Sequence, residues 1–189
     1  MWGSGMASIL KVDQINDRTN NNKAIEVDSS GIVNMPNTVM YDTYRLTSDV
    51  TSNSTITAWE KPDNTGMVTV GDSMSVSSGI FTFPRTGVYR VAAFVNIQNE
   101  NGDAATKFDI EHTRNNSSYT QMGMINCASD DTSANVNSAG SMEVIVNITD
   151  TSNHKMRFSA GSIGSGSVVK GSTDRNQTYV CFQYLAPAQ

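Results

Sequence analysis

Residues 79 to 97 read GIFTFPRTGVYRVAAFVNI, so that a turn, a short aromatic strand, a Pro and Gly corner and a long strand follow one another without a break. At period two, Tyr89, Val91, Ala93, Val95 and Ile97 face one way, and Val88, Arg90, Ala92, Phe94 and Asn96 face the other. The first set is a core stripe. The second is mixed, with Ala92 and Phe94 too apolar for a strand face that meets only water. This predicts a cover other than solvent, and another copy of the chain would supply one.

The composition favours strands throughout. Only 16% of the 189 residues are charged, and Ser, Thr, Asn and Gly dominate the polar remainder, a mixture suited to turns and strands rather than helices. An apolar content of 38%, with aromatic residues making up 7% of the chain, fills a modest core in one domain with a short appendage. A net charge of −5 with 13 scattered Lys and Arg argues against nucleic acid as a partner, because phosphate binding needs clustered cations. No run approaches the ~20 apolar residues that cross a bilayer, so membrane insertion is not expected. The opening MWGSGMASILKV lacks a basic stretch followed by a long apolar run, so no secretory signal is read here. Residues 1–5 have the composition of an expression linker.

Beyond residue 38, strand candidates recur with turns between them: 40–46, 55–59, 66–70, 80–83, 88–97, 107–112, 119–127, an inward set Met142, Val144, Val146 and Ile148, a second set Met156, Phe158 and Ala160, and 178–185. Asn115-Asn116-Ser117-Ser118 predicts a hairpin. Strands at this spacing with no helical pattern between them predict a sandwich or barrel. The last strand, Tyr179 to Leu185, is apolar on both faces, with Val180, Phe182 and Tyr184 alternating against Tyr179, Cys181 and Leu185. Ala92, Phe94, Tyr179, Phe182 and Tyr184 are therefore the candidate residues of a contact between subunits.

Residues 7 to 35 hold only short apolar runs, 9–15, 24–27 and 32–33, separated by an Asn-rich stretch and by Asp28-Ser29-Ser30-Gly31. Each is too small to bury its own face. Residues 1–37 are read as an anchor or shaft segment, with Ile9, Leu10, Val12 and Ile15 as its apolar contacts, and 38–189 as the head.

Catalysis finds little footing. His112 and His154 fall on different strand candidates and in no recognisable motif; His112 follows Phe108 and Ile110 on an inward face, as a core histidine does. No nucleophile elbow, zinc-protease, P-loop or dinucleotide pattern is present, and Gly161 to Gly166 is a loop with no helix behind it to hold a phosphate. Asp130-Asp131 with Ser129 and Thr132 lacks the alternation of a calcium loop and reads as a solvated turn. No cofactor, metal or catalytic residue is assigned. Cys127 and Cys181 are read as buried free thiols, and the N-x-Ser/Thr triplets at Asn53, Asn115, Asn116, Asn147 and Asn176 as chance in a chain rich in these residues.

Two resemblances add to this. Gly79, Phe81, Thr82, Gly87 and Tyr89 are spaced as in the signature of the C1q and tumour-necrosis-factor-like family, and residues 179–185 resemble that family's last strand. Thr86, Val91 and Cys181 depart from its usual Pro, aromatic and Gly. The resemblance covers roughly residues 38 to 189 and implies a ten-strand jelly-roll sandwich, all-β, that assembles as a homotrimer. Upstream, Ser8-Ile9-Leu10-Lys11-Val12-Asp13-Gln14-Ile15 and then Asp28-Ser29-Ser30-Gly31-Ile32-Val33 resemble the openings of structural proteins of marine bacteriophages. Together they imply a non-enzymatic virion component made in the host cytoplasm: a short fibre, head fibre or capsid decoration. Its N-terminal segment would join other virion proteins and its head would stabilise the particle or meet a host-surface glycan or receptor. The competing expectation is an extracellular C1q-like lectin or ligand.

Overall fold

The computed structural model describes residues 14–16, 23–27, 29–34, 39–100, 105–128 and 135–189. The chain divides into two compact units, 1–38 and 39–189. Three of the four anchor candidates, Ile9, Leu10 and Val12, lie outside the described residues, as does the acidic turn at 129–132; Ile15 is exposed.

In the first unit, β1 (Gln14–Asn16), β2 (Lys23–Val27) and β3 (Val33–Asn34) form an antiparallel meander in that order.

The second unit is a sandwich. Its described strands are β4 (Tyr41–Leu46), β5 (Ser54–Thr55), β6 (Trp59–Glu60), β7 (Ser75–Ser77), β8 (Ile80–Thr82), β9 (Gly87–Asn99), β10 (Thr106–Thr113), β11 (Tyr119–Cys127), β12 (Val136–Ile148), β13 (Lys155–Gly161), β14 (Val168–Val169) and β15 (Tyr179–Ala186). No helix occurs among the described residues. A front sheet runs β12-β9-β15-β4-β6 and a back sheet β11-β10-β13-β8-β7, all neighbours antiparallel; the two-residue strands β14 and β5 pair with β9 and β13 off these paths. Ten strands thus lie on the two paths, as a ten-strand jelly roll requires. Sequence neighbours often sit in opposite sheets, so the chain crosses between layers repeatedly.

The signature residues around this stretch have visible tasks. Ser78 and Gly79 take positive φ (49° and 79°) in the two-residue β7–β8 turn, the geometry whose twist matches the flanking strands. A Cβ on Gly79 would come within 2.3 Å of the Ile56 carbonyl oxygen, and one on Gly87 within 2.3 Å of the Tyr184 ring. Phe81 and Tyr89 are fully buried, and the Tyr89 hydroxyl donates to the Arg85 carbonyl at 2.9 Å.

Between the sheets, Phe81 meets Tyr44, Trp59, Phe158 and Phe182 at ring-centroid distances of 5.1, 5.9, 5.5 and 5.0 Å. The predicted inward sets of β10 and β13 are buried, and the inward residues of β12 line the same core. Phe182 corrects the sequence reading, and Tyr184 lies on its side of the strand. Val180 pairs with Ala93 and Phe182 with Val91, which fixes both on the core side. Tyr184 turns the same way, its ring 5.4 Å from that of Tyr89. Phe182 is fully buried within the single chain and has no surface left for another subunit, whereas Tyr184 is half-buried. Residues 66–70 also depart from expectation: only Val70 bridges a strand, to Tyr41. The Thr69 hydroxyl donates instead to the buried Asp42 carboxylate, which also accepts from the Ser73 hydroxyl and the Met74 amide. These bonds draw the segment over the sheet edge rather than along it.

Candidate functional site: the outer face of the front sheet

Strand register arranges the outward side chains of four strands, β12, β9, β15 and β4, in rows. Ser141, Phe94, Tyr179 and Arg45 form one; Glu143, Ala92, Cys181 and Thr43 the next; Ile145, Arg90, Gln183 and Tyr41 the third. Aromatic rings in a row across neighbouring strands stack well. Phe94 and Tyr179 do so, with centroids 4.7 Å apart and planes within 11°.

Small residues make the floor around that stack. Ala92 and Cys181 are already 3% and 2% exposed in the single chain, so the middle row lies below the rings. Phe94 stands between two shallow hollows of about 410 and 390 Å³, the first bordered by Ala139, Gly140 and Gln177, the second by Arg90, Ala92 and Glu143.

Polar groups frame the patch, and their charges are paired. The Arg90 Nε donates to Glu143 at 2.6 Å. Arg45 is fully buried and donates to Glu60, Asp63 and Asn64 at 2.5 to 2.7 Å. The Thr43 hydroxyl and the Cys181 Sγ lie 3.5 Å apart, and the Cys181 thiol together with burial pushes the Tyr41 phenol up to about 12. Tyr41 therefore stays a neutral hydroxyl at any ordinary pH. Of the five proposed contact residues, the structure brings Ala92, Phe94 and Tyr179 together on this face and turns Phe182 and Tyr184 away from it.

Exposed apolar residues also occur at the sandwich edge, where Met122 and Ile145 of the third row border one shallow hollow. Met122 and Met124 of β11 and Ile145 of β12 are 43%, 38% and 62% exposed; β11 and β12 are the edge strands of the two sheets. A register shift opposite Ile110 and Glu111 leaves Met122 as the extra residue of a bulge, a device that re-aims a side chain.

The two histidines, distant in sequence, meet between the sheets. Their rings are 5.2 Å apart, edge to face, and His112 Nε2 and His154 Nδ1 are buried with no hydrogen-bond partner. The β10–β13 pairing that brings His112 opposite Met156 creates this contact, and strand alternation alone does not reveal it. Burial, with the nearby His154 and Arg114 charges adding to it, pushes the His112 pKa down to about 4. No nucleophile is placed against either ring among the described contacts, and no group of three or more His, Cys, Asp or Glu side chains is gathered to hold a metal among the described residues. Cys127 and Cys181 are both buried and free.

No protein-family model and no curated protein sequence matches the chain. Solved structures do. The crystal structure of murine APRIL at pH 8.5 aligns with a TM-score of 0.57 and 7% identity over 78% of this chain and 99% of that one. The Eiger TNF structure from S. frugiperda aligns with a TM-score of 0.59 and 12% identity over 80% of this chain and 95% of that one. The fold is therefore a tumour-necrosis-factor-like jelly roll.

Proposed function

We propose that this chain is a non-enzymatic, homotrimeric structural protein of a bacteriophage particle, a short fibre, head fibre or capsid decoration, whose jelly-roll head stabilises the virion or adheres to a host surface. The observation that carries the assembly is the presence of two unlike apolar patches on one head: the Phe94–Tyr179 stack between its two hollows, and Met122 with Ile145 around a hollow at the sandwich edge. A surface that fits itself gives a twofold dimer, whereas two different surfaces that fit each other give a head-to-tail contact, which closes into a ring when the rotation allows. Three copies in a ring hide both patches on every head.

The virion assignment rests on the resemblance of residues 8–15 and 28–33 to phage structural proteins, and on a first unit too small to be a domain in its own right. Residues 7–36 then supply attachment, and loops of the head face the host or solvent. Deleting residues 7–36 tests the division of labour. The expected product is a folded, trimeric head that no longer joins particles; normal incorporation of the shortened protein would refute it. Electron microscopy of intact particles then places the protein on capsid or tail.

A further inference from the structure

The register of the small first unit sorts its side chains by face. Ile15 stands opposite Ile25, and Val27 opposite Val33. Ile25 and Val27 are two apart on β2, so all four share one side of the sheet. Glu26 alternates with Ile25 and Val27 on β2 and belongs to the other side. At the positions whose side chains are described, one face is β-branched and aliphatic and the other carries Glu26. Yet within the chain the aliphatic face is poorly covered: Ile15, Val27 and Val33 are 43%, 40% and 59% exposed.

We infer that this face is closed by the same face of two further copies of the chain, so that three small sheets pack their Ile15, Ile25, Val27 and Val33 together as a three-sided prism. The inference rests on the trimeric reading of the head. Three observations favour copies of the chain over a foreign partner. First, connectivity: only residues 35–38 separate β3 from the head unit, a reach of at most ~17 Å. Heads that associate therefore hold three of these sheets at millimolar effective concentration, and the sheets meet without a further loss of translational freedom. Second, charge: the alternation places Glu26 on the other row, so closing the aliphatic face on itself brings no β2 carboxylate into it. Third, chemistry: four branched aliphatic side chains offer no hydrogen-bonding group for a specific foreign ligand to recognise, but they are complementary to themselves. A meander with strands of two to five residues needs such a partner face to persist in water.

The test uses the full-length chain with one added thiol, mild oxidation, and light scattering in parallel. V33C and V27C place the thiol on the inner row, and E26C on the outer row. In a prism, V33C or V27C forms covalent dimers at least about tenfold faster than E26C, as expected for thiols held face to face rather than meeting by diffusion. The parent, whose own two thiols are buried, stays uncrosslinked. Equal rates on the two rows, or no cross-link in either V33C or V27C while light scattering still reports three chains, would overturn the prism and leave the trimeric head standing. Single chains by light scattering would remove the trimeric head and the prism with it.

Discussion

Replacing Phe94 with Asp separates the assembly contact from the fold. Within one chain the Phe94 ring is half-buried on the outer face, and its stack on Tyr179 contributes about 0.5–1.5 kcal/mol. F94D therefore leaves the head folded, with its melting temperature lowered by only a few degrees in any monomeric fraction. The contact between subunits suffers far more. A Phe side chain with roughly half of its 150–250 Å² still to be covered loses about 2.5 kcal/mol of burial per contact at ~25 cal/mol per Å². An unpaired carboxylate taken out of water adds several kcal/mol, and Glu143 in the next row supplies repulsion rather than a partner. At 1.4 kcal/mol per tenfold, a total near 5 kcal/mol weakens each contact by about 10³- to 10⁴-fold. Light scattering at micromolar concentration then reports the parent at three times 20.4 kDa and F94D as single chains or irregular aggregate. A parent that runs as single chains, or an F94D variant that remains a stable trimer, would show that this face is not the one that is covered.

Phe182 provides the contrast, since it is fully buried among Phe81, Phe83 and Phe158: F182A is expected to cost about 3–5 kcal/mol in denaturant unfolding of the head, and a loss below 1 kcal/mol would contradict the assignment of Phe182 to the core. Acid should weaken the head through His112. Its folded pKa of about 4 lies below the ordinary ~6.5, so the unfolded chain binds the extra proton first; stability is full above about pH 6.5 and falls by a few kcal/mol as pH drops towards 4. In H112Q that segment of the pH–stability curve flattens, and an unchanged curve would remove His112 as its source. Purified head should show no hydrolase turnover, and H112A or H154A should alter stability alone; an activity present in the parent and lost in either variant would overturn the non-enzymatic reading.

Strand alternation carried most of the sandwich because its long strands bury one face and wet the other. β10 reads Phe108, Ile110 and His112 inward, and all three are buried. Where alternation is weak, the sequence says less. The first half of β12, residues 136–140, offers Asn137, Ser138, Ala139 and Gly140, too small and polar to announce a strand that is nonetheless held by β9 along its whole length. β7 and β14 have three and two residues, too few for any period. At the contact face, the sequence singled out β15 but not its orientation, since both of its faces are apolar. Register decides it: Tyr179 lies beside the outward Phe94, and Phe182 beside the inward Val91. The histidine pair needed the same long-range information, because two residues 42 positions apart meet only once β10 and β13 are side by side.

The position of β15 has a consequence for how the head is made. The last strand, Tyr179–Ala186, is not added at a margin; it lies at the centre of the front sheet, hydrogen-bonded to β9 on one side and β4 on the other. A nascent head lacking it has β4 and β9 with a gap of one strand between them and the core missing Val180 and Phe182. Such pairings, over 80 residues apart in sequence, are slow to form, and the head cannot close while those residues are still inside the ribosome. The sandwich is therefore completed only once Tyr179–Ala186 has emerged, with two raw sheet edges exposed until then. A chain stopped before Tyr179 lacks the central strand of the front sheet and so has no closed head.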